Sequence, residues 1–288
     1  MTDSKRRKLG LLLKKLASKG RFRRRSAHRA WNTYEHIVFE YHTRRNIWAA
    51  DTVAPLYPKR LYWIDPESVT HYMSRRFDLL RDTGKIKGGD WDRELKRSIE
   101  SSGMYQRFLN HFQNGVPWEE TKKYQKRVER IKNNNSYRYP TIQALDRKYA
   151  LYDDLYEKFS VGDYLTQKEL ASQHSPKTIG DGGNTFFPQI FNSSIVRHEV
   201  TINVSRNGEL LPADGRHRFM IARIAGVDKI PVRIVVRHRE WQNIRDDIKS
   251  RIQEAQSKNK LDSGFECLLS NTGMNSVESS HPDIKNIF

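Results

Sequence analysis

The sequence predicts an α+β fold: a small mixed sheet with a large helical insertion, preceded by a basic N-terminal helix. Three observations predict it. Period-two alternation in "EVTINVS", a turn at "RNGE" and a return strand at "LLPA" make a β-hairpin over residues 199–213. "HRFMIARIAG" then has helical spacing with Gly226 as its stop, and "KIPVRIVVRH" follows as an apolar closing strand. Residues 66–160 are mostly helical in pattern and separate this unit from a short strand at Leu61–Ile64.

The elements divide into a basic arm (1–30), a helix and linker (31–60), the main domain (61–245, insertion 66–160), and a helix with a tail expected to be disordered (246–288). In the arm, Leu9, Leu12, Leu13 and Leu16 share one helical face between basic runs, so it is either an amphipathic helix or a disordered tail. From Ser26 to Trp48 the spacing predicts a helix that packs on the body through Ala30, Tyr34, Ile37, Val38 and Tyr41. An Asp-Pro step ends the strand at Ile64, and the chain re-enters a helix near Pro66. Trp118–Ile131 reads as a charged helix after Pro117, and residues 141–159 as a helix capped by Thr141. In that helix Ile142, Leu145, Tyr149, Tyr152 and Tyr156 face one side. Thr166 and Glu169 have capping-box spacing. The loop at 178–189 is glycine-rich but lacks the lysine of a P-loop.

Charge and cysteine content narrow the function classes. The formal charge is +18, yet residues 1–30 hold twelve Lys or Arg against one acid, so most of the excess sits in the arm. Such an arm suits either nucleic-acid phosphates or an anionic membrane surface, or is only a solvated tail. The single cysteine, Cys267, excludes an internal disulfide and a Cys-rich zinc site, and fits a reducing, cytoplasmic setting. No stretch approaches the ~20 apolar residues of a membrane span, so membrane attachment would be peripheral.

The chemistry-bearing stretch is "ADGRHRFMIARIAG", residues 213–226. A strand running into Asp214-Gly215 with a helix starting at His217 or Arg218 aims unpaired N–H groups and a helix dipole at the strand's tip, which attracts phosphate. Gly215 allows close approach, Arg216 and Arg218 can fork onto phosphate oxygens, and His217 can donate a hydrogen bond or carry a proton. Asp214 would bind Mg²⁺ or act as a base. The structural alternative is that Asp214 caps the helix and the arginines pair with surface acids.

Residues 199–238 resemble the phosphate-binding half of the ParB/sulfiredoxin superfamily, at Asp214, Gly215, His217, Arg218, Ala222, Gly226, Ile230, Pro231 and Val232. "WIDPESV" (63–69), with Asp65, resembles the strand that opens such domains. Sulfiredoxin activity is not implied, because the loop has no cysteine, and only about fifty residues follow the closing strand, too few for a chromosome-partition ParB protein. The motif is most similar to the archaeal free-serine kinases of this fold, whose Asp-Gly-x-His-Arg-like loop handles nucleotide phosphates. With "GGDWD", the combination also resembles a group of archaeal and viral proteins.

This resemblance implies a nucleoside triphosphate or diphosphate with Mg²⁺ at residues 214–218, and a kinase-like phosphotransferase or nucleotide hydrolase of open acceptor. Asp214 and His217 would be catalytic, with Asp214 on the metal. The alternatives are a DNA-binding protein or ParB-like nuclease using residues 1–30, and a module for which nucleotide is only a conformational ligand. A second constellation, "GKIKGGDWD", offers Asp90, Trp91 and Asp92 as a substrate loop, or else a turn anchored by a buried indole. Glu199 and Asp65 are accessory candidates, while His238 and Trp241 suit packing at the domain rim.

Overall fold

The structure, a computed structural model, describes residues 21–136, 139–172, 199–257, 281–285 and 287. The leucine-bearing part of the arm, the glycine-rich loop at 178–189 and Cys267 lie outside the described residues. The architecture is mixed α and β, as the patterning predicts.

The helix α1 (Arg21–Ala50) leads through a proline-containing linker to β1 (Tyr62–Ile64), β2 (His71–Met73) and β3 (Lys85–Lys87). A short α2 (Trp91–Glu94), β4 (Lys96–Ser98) and α3 (Gly103–Phe112) follow. After a 3-10 turn at Trp118–Glu120 come α4 (Lys122–Lys132), α5 (Ile142–Ser160) and α6 (Gln167–Ser172). The last set is β5 (Val200–Val204), β6 (Leu210–Asp214), α7 (Arg216–Ile224), β7 (Ile230–His238), α8 (Arg239–Ser257) and α9 (Pro282–Lys285).

The sheet is organised on β7. Its "IPVRIVVRH" is buried at all nine positions, so both faces are covered, and strands pair along both of its edges. On one edge β1 pairs antiparallel with its first third and β3 parallel with its last third; on the other lies β5, parallel. β6 pairs antiparallel with β5 and forms the outer edge. The hairpin turn needs Gly208 at φ +84°, where a Cβ would lie 2.5 Å from the Trp241 ring. α7 crosses back from β6 to β7 and packs under α3 and α5. There Phe219, Met220, Ile221 and Ala222 meet an aromatic layer of Phe108, Trp118, Tyr149 and Tyr152.

Several sequence expectations hold residue by residue. Thr141 caps α5 by accepting from Ala144 N–H at 3.2 Å, and Thr166 and Glu169 exchange both capping-box hydrogen bonds, at 2.7 and 3.2 Å. The stop after α7 is a Schellman turn, with Gly226 at φ +71° and Val227 N–H donating to Ala222 C=O at 3.0 Å.

Others do not. No helix restarts at Pro66; residues 71–98 hold three strands, and β2 and β4 pair as a separate two-stranded sheet. These strands are three residues long, too short to display a period. The expected helix from Trp118 is divided, because Thr121 leaves helical geometry to cap α4. α1 presents the opposite face from the one its apolar spacing indicates: Phe39 and Thr43 are buried, whereas Ile37 and Tyr41 are each 60% exposed. Its partners on the body are largely polar, with Asn46 donating to the carbonyls of Arg81 and Thr83 at 2.7 and 2.9 Å.

The expected disorder of the tail is overturned at residues 281–285. Asp283 is fully buried against two β7 and α8 cations, accepting from Arg237 at 2.8 Å and lying 3.2 Å from Arg245, and it also takes the Trp241 indole N–H at 3.0 Å. Burial pushes the Asp283 carboxyl up, but the two guanidiniums outweigh it and hold the group below the usual carboxylate range. Its stabilising contribution is therefore present above about pH 4 and is lost as the pH falls through its depressed value. Asp283→Asn should cost about 3–5 kcal/mol at neutral pH by leaving buried guanidiniums uncompensated, and should flatten the acid limb of stability, both read from urea midpoints between acid and neutral pH.

Candidate functional site

The junction of β6 and α7 is built from its backbone outward. β6 extends one residue beyond its apolar run, because Asp214 N–H donates to the Thr201 hydroxyl at 3.1 Å. The chain then turns through Gly215 at φ +70°, ψ +17°, a conformation that favours glycine. A Cβ there would meet Val200 Cα at 3.0 Å, so the turn also lies close against β5. Gly215 is the N-cap of α7, which starts at Arg216, one or two residues earlier than the sequence suggests. The first hydrogen bond into this helix runs from Phe219 N–H to Gly215 C=O at 3.1 Å. The N–H groups of the turn before it have no carbonyl within the helix to donate to, and the glycine at the cap offers them no side-chain acceptor.

Asp214 does not cap the helix; its carboxylate accepts from Arg76 at 2.8 Å. Arg76 follows β2, a strand the sequence does not reveal, so nothing in the sequence pattern marks it as a neighbour of the motif. Arg216 extends over the Tyr72 ring of the same β2, with its guanidinium carbon 5.2 Å from the centroid. His217 lies nearly parallel to Tyr152 of α5, centroids 5.3 Å apart, with its edge toward Phe108 of α3. The Tyr152 ring also takes the Lys148 ammonium at 4.6 Å.

Arg218 points inward, and its side chain is only 10% exposed. It stands 3.6 Å from Glu199, whose side chain is 1% exposed and which accepts from Gln167 N–H at 2.6 Å. The arginine expected to fork onto phosphate is thus engaged from below by an acid, and Glu199 belongs to the site. Burial pushes the Glu199 carboxyl up, with the Arg218 charge and the Gln167 hydrogen bond opposing it. The hydroxyl of Tyr164 is raised to about 12 by burial in the same surroundings, where Arg218 and Glu199 act on it with opposite signs.

The second constellation lies elsewhere. "GGDWD" packs on the hairpin turn at the other end of β6 from Asp214. Arg206 of that turn donates to Asp92 at 2.9 and 2.8 Å, to Asp90 at 2.8 Å and to Gly89 C=O at 2.9 Å. Asp92 is buried, but the hydrogen bonds from Arg206 outweigh that burial and hold its carboxyl down to about 2. Trp91 is buried against Phe77 and Leu211 as an anchor. His238 donates to Gly89 C=O at 2.8 Å, tying the loop to the end of β7. Asp90, Trp91 and Asp92 therefore clamp the hairpin and do not meet the motif.

Asp65 is likewise absorbed locally. Its carboxylate accepts from Glu67 N–H at 2.7 Å, and Arg223 at the far end of α7 reaches the Pro66, Glu67 and Val69 carbonyls at 2.9, 2.7 and 2.6 Å. The "WIDPESV" turn thus anchors the last turn of α7, about 10 Å from the motif at its first.

Among the described residues no group of three or more His, Cys, Asp and Glu could hold a metal ion. No family model matches the chain, and no curated protein and no solved structure matches it either.

The buried pair makes a specific expectation. Because the Glu199 carboxyl is raised, its neutral form favours the fold, and stability falls as the pH rises from the ordinary glutamate value through the raised one. Glu199→Gln should remove that slope. Arg218→Ala should cost about 3–5 kcal/mol at pH 7 by stranding a buried carboxylate, and adding Glu199→Gln to it should restore much of the loss. Urea midpoints of the three variants across pH 4–8 check both points.

Proposed function

We propose that the β6–α7 junction binds the phosphate groups of a nucleotide and that the protein is a phosphotransferase or nucleotide hydrolase using Mg²⁺. The observation that carries this reading is the cap of α7: a left-handed glycine lies where a capping side chain would otherwise stand, with the Asp214 carboxylate drawn aside to Arg76. Oriented N–H groups and the positive end of the helix dipole at a helix start suit a phosphate, and a glycine cap lets it approach the backbone closely.

In this reading the N–H groups of the first turn of α7 receive phosphate oxygens, and Arg216 and Arg76 close over them from the β2 side. Arg218 acts from beneath, orienting the turn through Glu199, which departs from the direct phosphate contact that the motif alone implies. His217, held by Tyr152 and Phe108, donates a hydrogen bond to the transferred group. Asp214 is the carboxylate that the motif places at the rim and accepts the proton of the attacking hydroxyl or water.

The partly exposed Asp214 carboxylate also fits Mg²⁺, which is held by one or two protein oxygens together with phosphate and water. Arg76 would then exchange Asp214 for phosphate, and the ion would neutralise charge on the phosphates. The nucleic-acid reading rests on the basic arm at residues 1–30, of which 1–20 lie outside the described residues, and has no comparable support from the fold.

Thermal stability with ATP, CTP, GTP or ADP and Mg²⁺, alongside phosphate release, tests the proposal. One nucleotide should stabilise the chain by about 2.7 kcal/mol at a hundred times its Kd. Arg216→Ala should abolish most of that stabilisation without unfolding the protein, and Asp214→Ala should abolish turnover. If no nucleotide shifts the wild-type midpoint at millimolar concentration, the reading is wrong and DNA binding by the arm takes its place.

A further inference from the structure

The face of α1 turned away from the body is an apolar stripe on a basic helix. Trp48 is 84% exposed, and Ile37 and Tyr41 are each 60% exposed. At 100° per residue these three positions fall within about 40° of one another and opposite Phe39, the residue that α1 buries. They line a shallow groove of about 600 Å³ together with Arg44, Arg45 and Glu40.

The charges on this face are almost all positive in effect. Glu40 is mostly buried and bound to Lys59 at 2.6 Å, with Arg44 3.9 Å away, so its carboxylate is neutralised from the body's side. Arg44 is 84% exposed, and Arg45 is exposed. The sequence preceding this stretch of helix carries KRRK, Lys14-Lys15 and RFRRR, which continues the same sign.

Three occupants compete for such a face, and its chemistry separates them. A second copy would set like-charged arginine borders against each other in an antiparallel pairing, while Glu40, the acid on this face, is already bound to Lys59. Nucleic-acid phosphates would account for the arginines, and stacked bases for the aromatic rings, but neither gives the aliphatic Ile37 an apolar environment. An anionic lipid surface accounts for both sets. Trp and Tyr favour the interfacial region, an aliphatic side chain enters the acyl boundary, and arginines meet the headgroups.

We infer that α1 docks the protein on an anionic membrane surface, with Ile37, Tyr41 and Trp48 entering the interface and Arg44 and Arg45 on the headgroups. The helix lies along the surface; among the described residues no helix is long and apolar enough to cross a membrane. This inference is independent of the nucleotide reading.

The test uses the full chain, sedimented with vesicles of phosphatidylcholine containing about 30% phosphatidylserine and with vesicles of phosphatidylcholine alone. Wild type should bind the first and not the second, and bromine-labelled acyl chains should quench fluorescence in wild type more than in Trp48→Phe. The triple variant Ile37→Ser, Tyr41→Ser, Trp48→Ser should need at least about tenfold more lipid for half-binding, with its circular dichroism and melting midpoint unchanged because all three side chains are exposed. Absence of wild-type binding overturns the inference. So does a triple variant that binds like wild type, which would assign membrane binding to the arm alone. A wild-type dimer in sedimentation velocity that the triple variant converts to monomer overturns it too, giving the face to a second copy.

Discussion

The fold depends on a constraint set by β7. A strand paired along both edges and covered on both faces has no solvent for its polar side chains, yet "IPVRIVVRH" carries two arginines and a histidine. Each needs a partner brought to it. Arg237 takes Asp283 and Gln242, Arg233 lies over Phe39 of α1, and His238 donates to Gly89. The N-terminal helix, the "GGDWD" loop and the C-terminal α9 are therefore gathered around one strand. The cations of β7 specify which segments meet there, a role for buried charge that differs from adding net stability.

The same strand fixes the candidate site from the other side. β6 returns the chain antiparallel to β5, and because β7 lies on the other side of β5 and parallel to it, α7 is the crossover that carries the chain from β6 past β5 to the start of β7. The crossover starts where β6 ends, which places the first turn of α7 at the sheet's edge under α3 and α5. Gly215 lets the backbone turn against Val200, and the next residues point three ways. Arg216 goes to β2, His217 to the aromatic layer of α3 and α5, and Arg218 to Glu199 beneath. Three successive side chains in different environments account for the motif's mixed composition.

What was legible in the sequence follows from element length and from the locality of the signals. The hairpin at Gly208, the α5 cap at Thr141, the capping box at Thr166 and the stop at Gly226 are set by a few neighbouring residues, and each forms where its residues indicate. The strands β2, β3 and β4 were illegible, because three residues hold too little of a period and their pairing is decided by distant partners. The motif was legible as a strand-to-helix junction, while Arg76, Tyr72 and Tyr152 were not, since they reach it from separate elements. The inward turn of Arg218 depends on Glu199 being buried, which no local pattern encodes. The "GGDWD" stretch had the composition of a substrate loop; Arg206, in the middle of a hairpin turn, consumes its carboxylates.

The face of α1 shows a further limit of periodicity. Helical spacing of apolar residues marks a surface that water disfavours, without saying what covers it. In α1 the apolar stripe and the buried stripe are different faces. The body holds the helix through Phe39, Thr43 and Asn46, with carbonyl acceptors at Arg81 and Thr83 doing much of the recognition. A polar-assisted contact on one side leaves the aromatic side unspent. A helix kept in place by its less apolar face can therefore present Trp48 outward without loosening from the body, which is the condition a docking helix has to meet.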